Sequence, residues 1–162
     1  MSTLATTLTV ICAVGAATAA GTLFDFSTFA MRGLRRLPPS HGAAAMQEIN
    51  REAPSSALFM AVIFGTGAAF LALGAYAALD LDRAEAPLQL IASTLYLVGV
   101  VVLTAVYHVP RNNRLDRVDP NSAAGKAYWA TYLREWVRMN HVRTLAPLAA
   151  AVLLTVSLAN AG

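Results

Sequence analysis

Four long runs almost free of charge constrain this chain more than any other feature. Residues 4–31 carry only Asp25, residues 58–79 carry no charge, residues 88–109 hold only the ionisable His108, and residues 144–160 hold none. A helix needs about 20 apolar residues to cross about 30 Å of hydrocarbon. Backbone polar groups in lipid must be satisfied within the spanning element, so each run reads as an α-helix. The expected fold is all-α: a four-transmembrane-helix bundle forming a single integral membrane domain over residues 1–162. Composition agrees, with 57% hydrophobic and 13% charged residues against about 45–50% and 25% in soluble domains. A disordered chain, a disulfide-rich module and an ordinary cytosolic enzyme are thereby excluded. The lone cysteine, Cys12, lies inside an apolar run and reads as a packing residue. The first run has no Lys or Arg before it and reads as a retained helix rather than a cleaved leader.

The charges are sided. All lysines and arginines except Arg83 fall in residues 32–57 or 110–143. The short connection 80–87 is acidic, with Asp80, Asp82 and Glu85. Basic loops stay on the cytoplasmic side. The expected placement is the plasma or inner membrane, with both basic loops cytoplasmic and both termini outside. The net charge of +3 therefore belongs to membrane topology and not to nucleic-acid binding. The bilayer is the expected partner, and a homo-oligomer is compatible with the sequence.

The basic connections carry helical extensions. Pro38-Pro39-Ser40 reads as a helix start with Ser40 as N-cap. From His41 to Arg51 an amphipathic helix at the membrane surface is expected, with Ala44, Met46, Ile49 and Ala53 to one side. Asp119-Pro120-Asn121-Ser122 is a second start signal, leading into a helix that reaches the fourth span and is kinked by Pro147. Gly15, Ala19, Gly21, Gly65, Ala68 and Gly74 read as positions of close helix approach.

Polar residues gather near the cytoplasmic ends of the spans. Asp25 sits inside the first; an ionisable group there is functional or paired, and Arg143 enters the lipid from the same side. His108 and Asn112 are spaced i,i+4, but Pro110 lies between them and predicts a broken helix. The segment from Tyr107 to Asn113 is therefore a candidate site, since irregular backbone at membrane depth is tolerated where it lines a cavity. Tyr128, Tyr132, Trp136 and Asn140 recur every four residues, followed by Arg143, which puts aromatic rings, an amide and a guanidinium on one helical face. His141 points about 100° away from that face. The spacing of His41, His108 and His141 offers no bundle-type metal motif, and no phosphate-binding glycine loop or CxxC pair occurs.

Taken together, Val109-Pro110-Arg111-Asn112-Asn113-Arg114-Leu115, the Trp136 to Thr144 segment, Leu34-Arg35-Arg36-Leu37-Pro38 and the run Ala45 to Arg51 resemble the DUF1772 family of anthrone oxygenase-like membrane proteins. The resemblance runs along nearly the whole chain. It departs at His108, where asparagine is common. It implies four helices and an oxygenase that converts an anthrone to an anthraquinone with dioxygen and no conventional cofactor.

Two kinds of function follow. As an enzyme, the protein would take a flat hydroxylated aromatic from the bilayer. His108 would be the base, with His141 or Asp25 in reserve. Asn112, Asn140 and Arg143 would donate hydrogen bonds, Trp136 and Tyr132 would stack on the substrate, and Tyr107 and Asn113 would complete its binding site. As a non-enzymatic carrier, lipid-binding module or partner protein, it would enclose no cavity between the helices. A haem or metal protein ligated by His108 or His141 is a third, lesser reading.

Overall fold

The computed structural model describes residues 1–160. Among them all regular secondary structure is helical. The elements are α1 (Thr3–Thr28), α2 (Ala30–Arg36), α3 (Pro39–Ser55), α4 (Ala57–Ala78), α5 (Ala86–Asp116) and α6 (Ala123–Ala159). Four stretches are long and apolar enough to cross a membrane: Thr3–Arg36, α4, α5 and α6.

Local chemistry explains the helix ends. The hydroxyls of Ser2, Ser56 and Ser122 each accept a hydrogen bond from the backbone N–H three residues on, satisfying a donor that has no partner inside the helix. The Asp119 carboxylate accepts from the Asn121 N–H at 2.9 Å and shapes the turn before α6. A Cβ on Gly125 would collide with the Asp119 carbonyl, so only glycine lets this turn close.

Three sequence expectations change here. The first span does not run unbroken to Met31: α1 ends at Thr28, and Phe29, with φ −121° and ψ −35°, joins it to α2. The α3 helix begins at Pro39 rather than after Ser40, because Pro38 occupies the cap position and Pro39 suits a first turn, where an N–H is not needed. Pro110 does not break the third span. The turns at Leu97–Val102 and Thr104–His108 are π-helical, and Pro110 opens the α-helical segment Val109–Asp116. A missing N–H costs little at such a start. Helix α6 carries Pro147 inside it and is about 55 Å long.

The four long helices form a closed ring, in which α1 touches α4 and α6, and α5 touches α4 and α6, with the α1–α6 contact the most extensive. The close approaches fall at Gly15 against Thr66, Gly74 against Ser93, and Gly99 against Ala146. Gly21 and Gly65 have open space around them, so they face outward rather than into a helix pair. Large apolar side chains such as Val14, Leu71, Val106 and Leu145 lie exposed on the outer faces, as a bundle surrounded by hydrocarbon requires.

Two apolar clusters divide the molecule. One lies within the spans and includes Cys12, Leu23, Phe70, Tyr96, Val100 and Leu154. The other joins the ends of α1, α5 and α6 to α3, and includes Met31, Met46, Leu115, Trp129, Tyr132 and Trp136. Gln47 fixes α3 to the end of α5, donating to the carbonyls of Leu115 at 2.8 Å and Val118 at 3.0 Å. The α3 helix therefore packs as a lid on the bundle, with Gly42, Ala43, Met46 and Gln47 buried, instead of lying free on the membrane surface.

Candidate functional site

A cavity of about 360 Å³ sits where the two apolar clusters meet. Its walls come from α1, α3, α4, α5 and α6. Phe26, Phe59, Met60 and Phe64 supply apolar surface, and Met46 and Ile49 of α3 close it from the loop side. The polar groups that face it are His108, Asn112, Asn113, Arg143, Thr104, Asn50 of α3 and Asp116 at the end of α5. The volume falls within the roughly 300–1,000 Å³ of small-molecule sites, which pair apolar walls with a few placed polar groups.

Arg143 dominates the site electrostatically. It is only 7% exposed, and among the described residues it forms no ion pair. Its Nε and Nη2 donate to Asn140 Oδ1 at 3.1 and 2.8 Å, and its Nη1 donates to Thr104 Oγ1 at 3.3 Å. A guanidinium has five donors, so N–H groups remain for a ligand. The guanidinium lies 5.2 Å from the Trp136 ring centroid. Buried charges are normally paired, and here the cation faces a cavity.

Asn140 holds that guanidinium in place. Its Nδ2 donates to the Leu23 carbonyl and to Ser27 Oγ, each at 2.9 Å, which leaves Oδ1 wholly for Arg143. Thr144 donates to the Asn140 carbonyl at 2.8 Å and shares a hydrogen bond with Ser27. Asn140 is thus a positioning residue, fully buried and directed at α1, and not a donor to a ligand as the sequence reading had it. Replacing it with leucine strips Arg143 of two acceptor contacts. Asn140→Leu is expected to cost about 3 kcal/mol, the range for leaving a buried charged donor unmatched, read as a clear fall in Tm in detergent. An unchanged Tm would show that the network carries no such load.

Asn112 is oriented in the same manner. Its Oδ1 accepts from the Tyr132 hydroxyl at 2.7 Å and from Trp136 Nε1 at 2.9 Å. The amide nitrogen is then the free end, on the cavity wall. Tyr132 is stacked between Trp129 and Trp136, with centroids at 5.7 and 5.9 Å. It therefore orients Asn112 and does not itself line the cavity.

His108 is completely buried, and neither ring nitrogen has a hydrogen-bond partner. The imidazole meets Trp136 edge-on at 5.0 Å and Tyr107 at 5.5 Å. His108 and Arg143 therefore flank the same indole, both facing the cavity. Tyr107 itself lies outside it, with its hydroxyl donating to the Glu135 carbonyl and its ring under Arg111 at 3.5 Å.

This end of the bundle closely follows the motifs that carried the sequence resemblance. The family model for anthrone oxygenase matches residues 55–153, more than half of the chain, including both polar segments. The chain belongs to the anthrone oxygenase family. No curated protein and no solved structure matches it.

The structure of this anthrone oxygenase family member gathers His108, Asn112, Asn113, Trp136 and Arg143 around one cavity. Besides Tyr107, Tyr132 and Asn140, two further expected members, His141 and Asp25, do not line this cavity. His141 opens onto a separate groove between α1, α2 and α6, because it is one residue from Asn140 and a helix turns it away. It thus shares no hollow with His108. Asp25 pairs with neither Arg143 nor Arg32, and its buried Oδ1 has no hydrogen-bond partner. Its neighbours Leu23 and Ser27, not Asp25, face Asn140. Among the described residues no three His, Cys, Asp or Glu side chains form a metal-binding group. The sequence reading missed Thr104 and Ser27, the α3 residues Met46, Ile49 and Asn50, and the α4 residues Phe59, Met60 and Phe64. Only the apolar side of α3 had signalled its burial.

Proposed function

We propose that the protein is a membrane-embedded oxygenase that oxidises the activated methylene of a hydrophobic, hydroxylated aromatic of the anthrone type. The observation that carries this reading is the unpaired, buried guanidinium of Arg143 facing an apolar cavity beside a buried imidazole without partners. A cation so placed is complementary to an anion that forms inside the site. An enolate, generated from a neutral substrate that partitions into the bilayer, is such an anion. The family match supports the same chemistry.

In the mechanism, His108 takes a proton from the methylene carbon, and the electron pair passes to the ring carbonyl oxygen, which becomes an enolate held by Arg143. The Asn112 amide donates to the same oxygen or to a neighbouring phenol. The enolate transfers one electron to dioxygen, and the two radicals combine to form a C–O bond. The imidazolium returns its proton to the outer oxygen, giving a hydroperoxide on carbon. Loss of the remaining C–H proton with cleavage of the O–O bond leaves a carbonyl and water. Each methylene thus consumes one dioxygen and yields one carbonyl and one water. Trp136 lines the cavity and offers apolar surface to the ring system, with edge contacts already made by Phe26 at 5.8 Å and by His108.

The apolar wall of Phe59, Met60 and Phe64 suits delivery from the lipid. The Arg-rich connections support a site near the cytoplasmic face, with both termini outside. A non-enzymatic bundle predicts no hollow between its helices, and the cavity weighs against that alternative.

The test is oxygen uptake by purified protein given an anthrone-type substrate. The expected result is one dioxygen consumed per quinone formed, well above spontaneous oxidation, with one oxygen atom from labelled dioxygen in the new carbonyl. Uptake no faster than the protein-free control across hydroxylated anthrones and related quinols would overturn the proposal.

A further inference from the structure

A second hollow lies on the outside of the bundle, where α1 and α2 run beside the first half of α6. It is a groove of about 580 Å³. Its rim carries Arg32, Arg35, Arg134, Arg138 and His141. Its floor is apolar, made by Phe26, Met31, Leu133 and Val137. No carboxylate lines it. Among the described residues none of these four arginines forms an ion pair, whereas Arg51, Arg83 and Arg111 all do. Arg134 makes one long hydrogen bond, to Thr131 Oγ1 at 3.5 Å.

The height of the groove follows from the cross-links between α1 and α6. Asn140 bonds to Leu23 and Ser27, and Ser27 to Thr144, so the two helices are in register there. Arg32 and Arg35 follow about one to two turns beyond that level on one side, and Arg138 and Arg134 lie about half a turn to two turns beyond it on the other. The nearly uncharged run of the first span ends at Met31 and the uncharged run of the fourth begins at Thr144, so these arginines fall just beyond the apolar lengths of two helices long enough to span a membrane. Four cations thus lie beyond the apolar lengths of these helices, next to an apolar strip.

We propose that this groove binds one anionic phospholipid, its phosphate between Arg32, Arg35, Arg134 and Arg138 and an acyl chain along Phe26, Met31, Leu133 and Val137. Charge complementarity selects an anion. The apolar floor selects an anion with a hydrocarbon tail over free phosphate. Guanidinium forks suit phosphate oxygens, which accept two parallel hydrogen bonds. Basic clusters just beyond a spanning helix attract anionic headgroups at roughly a fivefold gain in affinity per residue. Neither the cavity at Arg143 nor any turnover enters this argument, so the two proposals stand or fall separately.

The test is lipid retention by the full chain in detergent, followed by native mass spectrometry and by Tm. Phosphatidylglycerol is titrated against phosphatidylcholine and against inorganic phosphate. The expected result is one tightly retained phosphatidylglycerol and a raised Tm, with phosphatidylcholine and phosphate giving neither. Arg35→Gln with Arg138→Gln is expected to weaken retention about 25-fold. Arg36→Gln with Arg117→Gln, the same charge loss outside the groove, leaves it near the original. The single Arg35→Gln and Arg138→Gln variants serve if the double variant misfolds. Equal retention of both lipids, equal losses in the groove and control variants, or an effect of inorganic phosphate matching that of phosphatidylglycerol would each overturn the proposal.

Discussion

Substitution of His108 by asparagine is expected to lower turnover by about 10²–10⁴-fold, the usual contribution of a positioned general base. Asparagine keeps polarity and much of the volume but cannot accept a proton from carbon. The prediction rests on the burial of the ring and on its two unpartnered nitrogens at the cavity wall. With the base removed, proton abstraction becomes the slow step. Deuteration of the substrate methylene should then slow the variant more than it slows the original protein. The ring also packs against Trp136, so Tm and substrate binding are measured beside turnover to separate chemistry from packing. A His108→Asn protein that turns over within about twofold of the original, at equal Tm, would remove His108 from the reaction.

Arg143→Gln is expected to reduce turnover by about 10²–10³-fold, in line with the loss of a preorganised donor to a developing oxyanion. Glutamine can still reach Asn140 and Thr104, but it brings no charge. The informative comparison is between two inhibitors of one shape. An anionic phenolate analogue should lose affinity strongly in the variant, while the neutral methyl ether should bind nearly unchanged. Arg143→Lys keeps the charge without the planar fork that contacts Asn140 through two nitrogens, and an intermediate rate is expected. Equal losses for the charged and neutral analogues would indicate that Arg143 supports the fold rather than the anion.

The fold was legible because membrane helices announce themselves. Each nearly uncharged run falls on a spanning stretch of the structure, and the proline signal at Pro38-Pro39 and the serine signal at Ser122 fall where α3 and α6 begin. Much of the site was legible for a related reason. Side chains spaced by three or four share a helix face, so Trp136, Asn140 and Arg143 had to line up. Sequence spacing does not say what lies across from a face. For that reason Asp25 was expected near Arg143, although its side chain belongs to a different side of α1 from Leu23 and Ser27. Thr104 and Ser27 gave no signal, because hydroxyls in helices commonly return to the carbonyl four residues back, as Thr9, Thr18 and Thr94 do here. The α4 residues that enclose the cavity were hidden by their ordinary apolar character, and the apolar side of α3 signalled burial without showing what it covers. The Pro110 expectation failed because proline rules assume a regular α-helix upstream, and the chain is π-helical there.

Those wide turns tie the site to the number of residues in α5 as well as to their identity. A π-turn holds about one residue more than an α-turn, which rotates everything downstream by about 100° relative to an uninterrupted helix. His108 closes such a turn, and Asn112 follows one α-turn later. If the Thr104–His108 segment were one residue shorter, the helix would remain regular and apolar, yet Asn112 and Asn113 would swing about a quarter-turn from Trp136. Substitutions among outward-facing residues such as Val106 leave that angular phase intact, whereas a single-residue insertion or deletion in the segment resets it.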